Sequence, residues 1–106
     1  MKIRYAAPLL LTGWILMVPP DSTVPHSVDS AAPISRWSNI AEFDNATDCQ
    51  TAVETLRRRN PEFPRRLDPT GKLRRFQQRQ PDDPQLAHAR VSNATCIASD
   101  DPRMAK

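Results

Sequence analysis

Two cysteines, two histidines and two pairs of adjacent aspartates are the residues of this 106-residue chain whose types and spacing could do chemistry. His26 and His88 stand apart, and neither has a cysteine or a second histidine at the spacing of a zinc ligand set. Asp82-Asp83 and Asp100-Asp101 each adjoin a proline, which suits turns and helix caps better than acid–base work. A calcium site needs six or more oxygens on a turning loop, and neither pair offers that. No serine-nucleophile motif or phosphate-cradling glycine loop is present, because Gly13 and Gly71 are the only glycines. The expectation is a protein without catalytic residues, metal or cofactor.

Charge is the remaining lead. The chain carries 15 Lys and Arg against 12 Asp and Glu, a net charge of +3. Between residues 57 and 79 stand Arg57, Arg58, Arg59, Arg65, Arg66, Lys72, Arg74, Arg75 and Arg79, opposed only by Glu62 and Asp68. Concentrated positive charge attracts polyanions, so these nine residues are the candidate anion-binding set. Phe63 and Phe76 alone interleave them as stacking platforms, which leaves a weak case for nucleic acid. The competing reading is a solvated, arginine-rich loop that pairs with the acidic flanks.

The N-terminus bears on where such a surface would act. Lys2 and Arg4 precede an uncharged apolar run from Tyr5 to Val18. That order matches a secretory signal peptide. A membrane-spanning helix needs roughly 20 apolar residues, and this run is shorter and interrupted by Pro8 and Gly13. Pro19-Pro20 ends it. Residues 19–33, rich in Pro, Ser and Asp, read as a disordered leader. Cleavage is expected between residues 22 and 32, with residues 1–30 as signal and leader and 31–106 as the mature domain. No cysteine follows the apolar run at a lipidation position, so the mature product is expected to be soluble, without a stable transmembrane span, and periplasmic or extracellular.

In residues 31–106, Leu, Ile, Val and Phe number only 12, below the roughly 20% expected of chains that build a core readily. Two cysteines in an exported chain supply what the core lacks, since the oxidising exterior lets Cys49 and Cys96 pair. Free redox-active thiols are the alternative, and no C-x-x-C pair supports them.

Several elements must position these groups. The spacing of Ala46, Cys49, Val53 and Leu56 predicts a helix over residues 45–60 with one buried stripe. Asp44 or Asn45 would cap it, and Arg57, Arg58 and Arg59 would sit in its last turn. Pro61, Pro64 and Pro69 break the chain into a loop. A short helix is expected over residues 72–80, and Asp83-Pro84 starts a third. Residues 95–99 read as extended. Trp37, Ile40 and Phe43 recur every three residues, as in a helical turn, while Trp37 and Phe43 could also share a strand face. The fold class expected is small and mostly α: two or three short helices with one disulfide, an irregular basic middle and an extended C-terminal segment.

Two blocks of sequence carry a resemblance. Trp37, Phe43-Asp44, Ala46 and Cys49 spell W-x5-F-D-x-A-x2-C, and Cys96 to Arg103 reads C-I-A-S-D-D-P-R. Together they resemble a group of small uncharacterised bacterial exported proteins that pair these two motifs. The resemblance covers residues 33–49 and 96–104. It implies export and pairing of the cysteines, and it implies no mechanism. Two functions follow as expectations. One is a non-enzymatic structural or protein-interaction role in the cell envelope. The other is binding of anionic envelope components, lipid headgroups or polysaccharide, through residues 57–79.

Overall fold

A computed structural model describes residues 13–58 and 61–105 of the chain. Its centre is a strand, β1, Trp14–Val18. Beside it lie β2, Ser38–Phe43, and β3, Thr95–Ala98, in the antiparallel order β2-β1-β3. Three α-helices accompany the sheet: α1, Ala46–Leu56, α2, Lys72–Gln78, and α3, Pro84–Ser92, with 3-10 turns at Ile34–Arg36 and Pro102–Ala105. The mostly α expectation is therefore corrected to a mixed fold, a three-stranded antiparallel sheet with helices.

β1 forms where it does because an apolar run too short for a helix is bounded by Gly13 and by Pro19-Pro20. Both of its faces are covered. Leu16 and Val18 join Ile40, Ala41 and Phe43 of β2 and Cys49, Ala52, Val53 and Leu56 of α1 in the main core, with Trp14 against it. Met17 packs with Ile34 and Ile97 in a second cluster, flanked by Ile15 and Trp37. Leu16 has no exposed surface, and its Cα partner on β3 is Cys96. The Cys49–Cys96 disulfide, with its Cα atoms 6.1 Å apart, therefore joins α1 to β3 beside the middle of β1.

The spacing of Ile40 and Phe43 has its own physical origin. Leu16 pairs with Ala41 and Met17 with Asn39, so Ile40 is an extra residue bulged out of the β2 ladder. A bulge inserts one residue between regular positions. Ile40, Ala41 and Phe43 thus all reach the main core, and a strand mimics a helical interval. Trp37 ends a 3-10 turn over Ile34–Arg36 and donates its indole N–H to the Ala32 carbonyl at 2.9 Å. It joins the second cluster, apart from Phe43.

Each helix start follows from its capping residue. Asn45 Oδ1 accepts the Asp48 N–H at 2.8 Å and starts α1. The helix stops at Leu56 rather than running to residue 60, and Arg57 caps it. The Arg57 guanidinium donates to the carbonyls of Val91, Ser92 and Ala94, so this cation closes the end of α3, where unpaired carbonyls favour positive charge. The basic middle is not irregular throughout. The buried Asp68 carboxylate accepts the N–H groups of Leu73 and Arg74 at 2.9 and 3.2 Å and anchors the first turn of α2. Gly71, at φ 77°, makes the left-handed bend between them. Asp83 accepts from Gln85 and Leu86, and Pro84 opens α3.

Residues 19–32 are organised, in contrast to the disordered leader expected there. Asp21 and Val28 form an isolated antiparallel bridge, and Asp29 donates its N–H to the Pro20 carbonyl at 2.8 Å. Two contacts tie this loop to α3. Asp21 takes both donors of the Arg90 guanidinium fork at 2.9 and 2.7 Å, and His26, at φ 66°, meets Asp83.

The hydrogen bond from His26, assisted by the amides of Leu86 and Gln85, holds the Asp83 carboxyl below its ordinary value of 3.8. A depressed carboxyl stabilises the folded form fully above that ordinary value and loses its contribution as pH falls through the lowered one. Acidification below pH 4 should therefore loosen the loop before the sheet. Measured against the intrinsic exchange rate at each pH, the Asp29 amide should lose protection while the amides of β1 keep theirs. An equal loss of protection at both positions would count against this tether.

Candidate anion-binding cleft

One aspartate of each acidic pair accepts from the backbone. Asp83 is a helix cap, and Asp101 accepts the N–H and guanidinium of Arg103 at 2.9 to 3.0 Å. That hydrogen-bonded guanidinium pulls the Asp101 carboxyl down to about 2. Asp82 and Asp100 are exposed. His88 shares a hydrogen bond with the Ser92 hydroxyl on its own helix. Among the described residues no three His, Cys, Asp or Glu side chains come together as a metal-holding group.

The nine cations separate into distinct settings. Arg57 is engaged with the end of α3, and Arg66 pairs with Asp48 at 2.6 Å. Arg58 is exposed just beyond α1, and Arg59 lies outside the described residues. Lys72, Arg75 and Arg79 recur at intervals of three and four residues, which places them along one side of α2. None of the three has a carboxylate partner among the described residues. They line a cleft of about 560 Å³ between α2 and the adjoining ends of β1 and β2.

Sheet and helix shape that cleft together. The end of β1 supplies Val18, followed by Pro19 and Pro20, while β2 contributes Ile40 and α2 contributes Phe76. Arg90 of α3 adds a fourth cation, but its fork is occupied by Asp21, which also lines the cleft. Gln80 lines it from just beyond α2. A second, more polar cleft of about 630 Å³ adjoins α2, lined by Arg65, Arg74 and Gln78 and also by Asp68. Arg75 borders both clefts, with Nη1 donating to the Thr70 carbonyl at 3.0 Å. The arrangement can attract an anion and seat an apolar or ring-shaped portion beside it.

The i, i+3, i+7 spacing of Lys72, Arg75 and Arg79 was visible in the sequence. The approach of Asp21, Ile40 and Arg90 to them was not, because these residues come from distant segments. No family model, curated protein or solved structure matches the chain.

Proposed function

We propose that this is an exported, non-enzymatic protein that binds anionic components of the cell envelope through the α2 cleft. One observation carries the reading: Lys72, Arg75 and Arg79, free of carboxylate partners among the described residues, border a cleft with an apolar wall. A ligand pocket of this size combines an apolar lining with a few polar groups that fix orientation. The disulfide supports export, because such bonds persist in oxidising compartments. The paired sequence blocks support it too. No helix among the described residues is long and apolar enough to cross a membrane.

A protein-interaction role has less support. Val24 is the one large apolar side chain standing exposed among the described residues, whereas protein-binding surfaces present apolar patches. On this reading, processing on export leaves Gly13 through Val18 in the mature chain. A cut between residues 22 and 32 would remove β1, the central strand.

The test is retention on phosphatidylglycerol vesicles and on immobilised polygalacturonate at low and high salt. Each cation near an anionic surface contributes about 1 kcal/mol, so the K72Q/R75Q/R79Q variant should bind about a hundredfold more weakly. R57Q should bind like the parent, since that side chain serves α3. Retention indifferent to salt and to the triple substitution would contradict the proposal.

A further inference from the structure

One carboxylate stands among the cations of the α2 cleft. Asp21 lines it beside Lys72, Arg75 and Arg79, and its two oxygens take the Arg90 guanidinium fork at 2.9 and 2.7 Å. Two parallel N–H···O bonds from an arginine are a strong and specific way to hold an oxyanion. The chain thus supplies its own anion to the least exposed cation of the cleft, whose side chain is 23% exposed. The segment that carries Asp21 is weakly held. No residue from 20 to 32 is buried, so apolar packing contributes little to its seat. Among the described residues its ion pairs with α3 and the α3 cap are Asp21–Arg90 and His26–Asp83, and surface pairs of this kind are individually weak. His26 also adopts φ 66°, a left-handed backbone that residues with side chains adopt rarely. Segments with few buried contacts open readily.

We propose that Asp21 is an internal competitor for the anion site: an incoming oxyanion takes the Arg90 fork, Asp21 leaves it, and the loop of residues 20–32 comes away from α3. The proposal rests on the anion-binding reading above and adds the residue that governs access to the cleft. At rest the Asp21 charge both occupies Arg90 and opposes an entering anion. Bound ligand meets Arg90 as well as Lys72, Arg75 and Arg79, and the fourth cation becomes available only as the loop is released. Ligand binding and loop docking are then coupled, each weakening the other by the same factor. A carboxylate and a phosphate can each present two oxygens to a guanidinium, so the competition is common to both.

The experiment titrates the full chain with tetragalacturonate and, separately, with linear tetraphosphate at constant ionic strength, while NMR relaxation follows the backbone amides of Val24, His26 and Val28. As either ligand binds, the order parameters of these amides should fall toward about 0.6, the edge of the flexible range, while those of β1 hold. Asp21→Asn should bind about fivefold more tightly, the low end of such couplings. Loss of the Asp21 charge would by itself draw anions closer, so the same substitution is repeated in an Arg90→Gln chain. There most of the gain should vanish, because no fork is left to free. The wild-type relaxation measurement stands even if a variant folds poorly. A loop that keeps its order on binding, no gain from D21N, or a gain undiminished in the R90Q chain overturns the competition and leaves anion binding at α2 intact. Failure of both ligands to bind overturns the competition and the anion-binding reading together.

Discussion

A chain beginning at Ala31 will not fold, whereas one beginning at Gly13 will. The first lacks β1, which hydrogen-bonds to both other strands and contributes to both apolar clusters. Leu16, Met17 and Val18 are each at most 4% exposed. Burying each such side chain contributes about 1.5–3 kcal/mol, so the three together rival the roughly 5 kcal/mol net stability at the low end for domains. Without β1, β2 and β3 no longer have a common partner, and Ile34, Trp37 and Ile97 lose the strand they cover. Near-UV circular dichroism and urea titration of the two chains would measure the difference. A cooperative transition in the Ala31 chain would show that β1 is dispensable.

Opening the disulfide should have the next largest effect. Cys49 and Cys96 are 47 residues apart, and closing a loop of that length removes unfolded-state entropy worth about 4 kcal/mol in the chain-entropy model. A C49A/C96A variant should therefore lose most of its margin, with a much lower urea midpoint than the oxidised parent. The loss is steep because Cys49 is fully buried against the main core, in which Cys96 also packs. A variant with an unchanged midpoint would mean that packing around α1 and β3 carries the stability alone.

Local chemistry made part of this fold readable. Asn45 and Asp83-Pro84 announced two helices because caps act over three residues, and the cysteine pair announced its own bond. β1 escaped because a strand buried on both faces shows no alternation, and a short apolar run reads equally as part of a signal or a buried helix. Its bounds, Gly13 and Pro19, were the available sign. Ile40 misled because a bulge turns a period of two into an interval of three. A helix over residues 45–60 would carry Arg57, Arg58 and Arg59 in its last turn, but α1 ends at Leu56 and Arg57 serves the carbonyls of a different helix, 34 residues or more away. The same distance problem governs the cleft. Lys72, Arg75 and Arg79 share a helix face that spacing reveals, while Asp21, Ile40 and Arg90 reach the same cleft from distant segments.

The measurement that bears most directly on the account is the intact mass of the protein recovered from its native cell fractions, taken with and without reduction and alkylation. The account predicts a chain in the envelope or medium that retains Gly13 through Val18 and takes up alkylating label only after reduction. A species starting between residues 22 and 32, or one that is labelled at Cys49 and Cys96 without reduction, would contradict it.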